Sequence, residues 1–414
     1  MTAPRLFLLA AFSLAQIETD EALKGRTAAK GASEAKAQPL RSRLAELARW
    51  MTAALELRAG ARTETPPAAP SETRREEKTW VEIGGEVYGA QPDDEGPIGG
   101  GAGYRGVVTG GDFVAEDLDG LLAALAKAKA GETVFIPGET EIDCTARVYI
   151  EGLVIEVPGG VRLAGNRGAG GSLGALIASD ALKTPVLIRA AGPGVRISGL
   201  RIRGPNPKRY LDHHKRSFAE GRGHEYYYRF PTSDGIVTEH PDLEVDNCEI
   251  SAFGHAGVYL LKGGGHRIHH SSIHHCQYAG LGYGIAHGAA SSLIERNLFD
   301  CNRHSIAGAG TPGCGYEARH NVQGGTSLSH AFDMHGGRDR KDGTDIAGTR
   351  ILIHHNVFRA PETPIAIRGV PEETCVVRHN WFVRHDSPEA AVRSSGNVRI
   401  EANAYGDRES KVIR

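Results

Sequence analysis

Apolar residues recur through the second half of the chain at a fixed distance before an asparagine. Ile294, Ala318, Ile353, Val377 and Ile400 each stand three positions ahead of Asn297, Asn321, Asn356, Asn380 and Asn403. Each asparagine opens a short run: Asn297-Leu-Phe299, Asn321-Val-Gln323, Asn356-Val-Phe358, Asn380-Trp-Phe382 and Asn403-Ala-Tyr405. Successive asparagines are 24, 35, 24 and 23 residues apart, and weaker copies, Ser271-Ser-Ile273 and Cys248-Glu-Ile250, extend the series upstream by 26 and 23. The unit has short alternating runs broken by glycine and no helical period, so it is built of strands. One repeat per two dozen residues predicts stacked coils of parallel strands. Each coil then sends apolar residues inward and places the same turn residue above its predecessor, where side-chain amides can bond along the stack.

Two upstream segments have the helical period instead. Asp117 to Lys129 is amphipathic and is followed by Glu-Thr-Val-Phe-Ile-Pro-Gly138, a short strand, the order expected if a helix closes one end of a solenoid. Leu44, Leu47, Ala48, Met51 and Leu55 predict a second helix between Arg41 and Arg58. Pro66, Pro67 and Pro70 among many charges mark a linker, so the domains read as 16–79, helical segment and linker, and 80–414, the solenoid. Residues 1–15 read as a secretory signal, with Arg5, the apolar run from Leu6 to Ala11, and Ser13 and Ala15 at the small-residue positions; a frayed start is the alternative. A signal implies a secreted or periplasmic protein. No stretch of 18 apolar residues predicts a membrane span.

The asparagine series, the opening Thr109-Gly-Gly-Asp-Phe113 and the helix-then-strand order together resemble the pectate lyase superfamily from about Gly100 to the end. The resemblance implies an all-β right-handed parallel β-helix with an N-terminal capping helix. It implies no one reaction, since this architecture hosts lyases, hydrolases, epimerases and non-enzymatic surface proteins.

Composition narrows the partners. With 48 basic and 50 acidic residues the net charge is −2, so no global field attracts nucleic acid, and affinity for a polyanion has to come from a local patch. Six cysteines form no C-x-x-C, which predicts core residues and leaves room for one disulfide. Nothing in the sequence indicates an oligomeric state.

Two stretched repeats are the candidate binding loops. The first, between Gly204 and Gly235, carries Arg222, Tyr226, Tyr227 and Arg229, suited to uronate carboxylates and sugar faces, with a solvated loop as the bland alternative. The second, Gly336 to Ile346, follows His330-Ala-Phe-Asp-Met-His335. Strand alternation sends Phe332 and Met334 inward and sets Asp333 and His335 side by side outside. Aligning His255–Leu260, Tyr278–Tyr283, His304–Ala309, His330–His335 and Thr363–Arg368 without gaps puts His255, Tyr278, His304 and His330 in one column. Leu260, Tyr283, Ala309, His335 and Arg368 form another. Asp333 then breaks a column of Val258, Leu281, Ala307 and Ala366, which stacking alone does not explain. His330 shares the inward parity of Phe332, which leaves face or corner open.

The row from His330 to His335 resembles the Tyr-Gly-Phe-Asp-Pro-His motif of the mannuronan carbon-5 epimerases, in which Tyr, Asp and His surround the sugar. Asp333 and His335 match, whereas His330 replaces the Tyr and Met334 the Pro, so the proton-transferring acid is not identified. The expected chemistry is β-elimination on an acidic polysaccharide. His335 or His330 serves as base or acid, Asp333 as orienter, Arg368 or Arg338 as neutraliser of the uronate carboxylate, and His304 as support, with Tyr283 at the sugar. Carbon-5 epimerisation, glycoside hydrolysis with Glu362 or Asp300 as second carboxyl, and glycan binding alone are the alternatives. No metal ligands are assigned, although His330, Asp333 and His335 could ligate zinc or calcium with other groups; they lack the i, i+4 spacing of a helical zinc motif. Calcium through Asp339, Asp342 and Asp345 is the cofactor to look for. His270, His320, His355 and His379, each just before a ladder position, are expected to be structural.

Overall fold

The computed structural model describes residues 78–205, 219, 231–278, 280–407 and 411–413. The expected signal, the helix of 41–58, the linker up to Glu77, and Arg222, Tyr226, Tyr227 and Arg229 lie outside the described residues. No described helix is long and apolar enough to cross a membrane.

Within the unit from Ala69 to Arg414, short strands stack in parallel register coil upon coil. The asparagine-bearing strands form an 11-stranded sheet whose pairings include Ser272–His274 on Leu298–Asp300 and Val357–Phe358 on Trp381–Phe382. The last strand, Lys411–Ile413, turns back antiparallel. The apolar residues ahead of the asparagines line the interior: Ile294, Ala318, Ile353 and Val377 are fully buried and stack in register. A further column runs Ile285, Ile306, Phe332, Ile365 and Val392. The helix α1, Leu118–Leu125, is N-capped by Asp117 and buries Leu121, Ala124 and Leu125 against this core. All six cysteines are free thiols.

The asparagine ladder is present and complete in its bonding. Asn297, Asn321, Asn356, Asn380 and Asn403 are buried, and each Oδ1 from Asn321 onward accepts both the backbone N–H and the side-chain amide of the preceding ladder asparagine, at 2.9–3.1 Å. Each Nδ2 also donates to the carbonyl of an interior residue, Ala318 in the case of Asn356. The residue before each asparagine has positive φ, among them His320 (53°), His355 (54°) and His379 (53°). Those three rings stack, with centroids 5.0 Å apart at both steps. Repetition of the turn accounts for this column, as expected of structural histidines.

Burial, then the neighbouring cations and imidazoles, pushes His320 down to about 3 and His355 down to about 4, so both rings are neutral in the fold. A histidine with a depressed folded pKa contributes stability that is whole above its ordinary value near 6.5 and is lost as pH falls toward the folded value. The urea midpoint is expected to hold from pH 8 to 7 and to fall steadily below pH 6. His355→Asn, which tolerates the left-handed turn, is expected to flatten that fall; an unchanged pH profile in the variant would remove the column from the explanation.

Candidate active site

Four side chains from three successive coils, those of His304, His330, His335 and Arg368, meet around Asp333. Strand His304–Gly308 pairs with Phe332–Met334, which pairs with Ile365–Ile367, so His304, the His330–His335 row and Arg368 lie on neighbouring coils. Phe332 and Met334 are in the core, as alternation requires. Ala331 is interior as well, so alternation fails there and His330 sits at a corner and on the outside.

Asp333 faces outward from its strand but is 0% exposed, which corrects the expectation of an open carboxylate. It lies under its partners. The Arg368 guanidinium donates Nη2–H to Oδ2 at 2.9 Å. His335 Nε2 is 2.9 Å from Oδ2, off the line of an ideal hydrogen bond; His304 Nε2 is 3.7 Å from Oδ2; His330 Nδ1 is 3.4 Å from Oδ1. Burial pulls the Asp333 pKa up, yet the His330 and His335 contacts outweigh it and hold the carboxyl well below the usual carboxylate range. Burial drives His304 the other way, down to about 3, against the opposing pull of Asp333. At neutral pH the floor of the cluster is an ionised carboxylate beside a neutral imidazole. His335 and His330 are the reachable rings, with side chains 25% and 18% exposed against 1% for His304.

The columns differ from the gapless alignment. Tyr283, not Tyr278, stacks on His304 at 5.8 Å and 7°, and His304 stacks on His330 at 5.5 Å and 10°. Ala256 replaces His255 in that column, and Tyr259 and Ala286 replace Val258 and Leu281 in the column of Asp333, Ala307 and Ala366. The reason is a turn from Cys276 to Gly282, with Gly280 and Gly282 at positive φ, that inserts residues between coils. Tyr283 therefore does not share the column of His335, nor does Leu260.

The second insertion folds as a short helix, α2, Gly337–Arg340. Its Asp339 accepts the Gly336 N–H and takes Arg368 Nη1 at 3.1 Å. Arg368 is thus spent on two protein carboxylates and is a brace for the site, not a free neutraliser. Arg338 is 84% exposed and pairs with Asp345 at 3.5 Å, outside the cluster. Asp342 is held by Arg340 and Thr344. The three aspartates considered for calcium are each engaged by an arginine and do not converge. Gly310 is required here: at φ 75° its backbone packs on the His335 carbonyl, where a Cβ would overlap.

Asp300, weighed as a second carboxyl, lies on the asparagine-bearing sheet and accepts the Thr326 N–H. The carboxylate that does approach is Asp339, considered in sequence only as a calcium ligand. Its position three residues after Gly336, a capping spacing, was the available signal.

Residues 232–405 match the family described as Right handed beta helix region. The fold is a right-handed parallel β-helix. The β-helix is similar to two solved structures. One is the family 28 exopolygalacturonase of Yersinia enterocolitica, at 11% identity over 73% of this chain and 64% of that one, with a TM-score of 0.34. The other is the alginate lyase of Paenibacillus sp. str. FPU-7, at 13% identity over 69% and 98%, with a TM-score of 0.37. The chain thus spans under two thirds of the exopolygalacturonase. No curated protein matches the sequence.

Proposed function

We propose that this β-helix is a lyase that cleaves a uronate-containing polysaccharide by β-elimination at the Asp333 cluster. The observation that carries the reading is the division of labour between a buried, ionised carboxylate and the imidazole that stands between it and solvent. Asp333 accepts from Arg368, and the His330 and His335 contacts hold its carboxyl below the usual range, which disfavours it as the acid of a hydrolase built on two carboxyl groups. Asp333 and Asp339 both accept from the Arg368 guanidinium. Proton transfer falls to the histidines. Asp333 Oδ2 only accepts, so it favours the proton on His335 Nε2 and leaves the Nδ1 lone pair as the base.

In the reaction, Nδ1 removes the proton from carbon 5. The released electron pair forms the carbon 4–carbon 5 double bond as the bond from carbon 4 to the glycosidic oxygen breaks, and the imidazolium returns the proton to that oxygen. His304 positions the neighbouring coil, and the first insertion, with Arg222, Tyr226, Tyr227 and Arg229, would add contacts to the chain of sugars. Return of the proton to the opposite face of carbon 5 would make the same site an epimerase, a reading favoured by the second imidazole, His330, on the Oδ1 side of Asp333.

The test is ultraviolet absorbance of the unsaturated product after mixing the protein with alginate, pectate, glucuronan or glycosaminoglycans. The expected result is a rise with one polymer, reduced about 10²- to 10⁴-fold in His335→Ala. Carbon-5 proton exchange without cleavage would establish the epimerase instead, and neither signal on any polymer would end the reading.

A further inference from the structure

Five buried atoms in the cluster have no hydrogen-bond partner, Arg368 Nε and His335 Nε2 among the donors and His304 Nε2, His330 Nδ1 and Asp333 Oδ1 among the atoms that could hold a cation. His304, His330 and Asp333 each offer a ligand atom within 4.8 Å of the others. Tautomers sharpen the point. His304 Nδ1 faces the carbonyl oxygen of His330, which only accepts, so Nδ1 carries the proton and Nε2 presents a bare lone pair. That lone pair looks at Asp333 Oδ2 across 3.7 Å. Acceptors facing one another inside a protein are an arrangement that interiors avoid. A cation between them satisfies all of them at once.

The geometry points to a divalent transition-metal site of the zinc class, with His304 Nε2, His330 Nδ1 and Asp333 as ligands and a fourth position open toward solvent. Two imidazoles and one carboxylate with one open position is the donor set of catalytic zinc, whereas calcium takes six or more oxygens. Metal–ligand bonds of about 2.0–2.2 Å in a tetrahedron place ligand atoms roughly 3.3–3.5 Å apart. His330 Nδ1 is 3.4 Å from Oδ1 and His304 Nε2 is 3.7 Å from Oδ2, so each imidazole is within a few tenths of that spacing from one oxygen of the carboxylate, and the three ligand atoms lie within 4.8 Å of one another. The supports that orient metal ligands are in place: the His330 carbonyl on His304 Nδ1, and Arg368 on Asp333 Oδ2. This inference rests on the lyase reading for the ion's task alone. With Arg368 committed to Asp333 and Asp339, the ion is the positive charge that faces the uronate carboxylate.

The experiment is metal binding to the full chain, stripped by a chelator and then titrated with Zn²⁺, or with Co²⁺ read by its visible absorption, with metal content measured after gel filtration. About one ion per chain is expected. His330→Ala, on a partly exposed ring, and Asp333→Asn are each expected to weaken binding by more than about 100-fold. His335→Ala is expected to bind the ion at the same stoichiometry while losing cleavage. Absence of bound metal, or binding unchanged in both His330→Ala and Asp333→Asn, overturns the site. Binding through these residues without cleavage of any polyuronate leaves the site standing and removes the lyase.

Discussion

Asp333→Asn is expected to lower kcat/KM on the cleaved polyuronate by about 10²- to 10⁴-fold, the span of general acid–base catalysis, while the far-ultraviolet circular dichroism of the coils stays unchanged. The substitution keeps the shape of the side chain and removes its charge. His335 then loses the carboxylate 2.9 Å from Nε2 that sets its tautomer, and Arg368 keeps only Asp339. A side chain buried to 0% with no direct path to substrate acts through those neighbours. An Asp333→Asn variant with wild-type kcat/KM and an intact fold would place the chemistry elsewhere on the β-helix.

The second large effect is on stability. Asn356→Ala is expected to cost about 3–5 kcal/mol, read as a fall in the urea or thermal midpoint, because several buried polar groups lose partners together at about 1–3 kcal/mol each. Oδ1 of Asn356 accepts from the backbone and side chain of Asn321, and its Nδ2 donates to Ala318, His354 and Asn380. Asn356→Asp has nearly the same shape but no donors and a buried charge, so it is expected to be at least as damaging. Wild-type stability in that variant would mean that shape, and not hydrogen bonding, holds the turns in line.

The ladder was legible in the sequence because one residue type recurs at a turn whose geometry is the same in every coil. Alternation likewise placed Phe332 and Met334 inside and singled out Asp333 as the polar break in its column. What alternation does not carry is the number of residues spent in a turn. The added residues between Cys276 and Gly282 moved Tyr283 into the column of His304, and no pattern of apolar and polar positions announces that shift. The burial of Asp333 was hidden for a related reason. Parity tells which side of a strand a residue faces, but the cover over it comes from His304, His335 and Arg368, and only the stacking of three coils brings those together. The commitment of Arg368 to Asp339 depended on how the second insertion folds, a tertiary matter in a segment with no repeat to guide it.

Because the coils are interchangeable in shape but not in content, the β-helix can grow in some places and not in others. Duplicating a coil beyond Arg368 lengthens the solenoid by about 4.8 Å and leaves every distance around Asp333 as it is. The same duplication between His304 and Arg368 drives the partners of Asp333 a full strand spacing apart and dissolves the cluster. Lineages of this fold that change length are therefore free to do so at the ends, and those that keep the chemistry hold the interval from His304 to Arg368 at three coils.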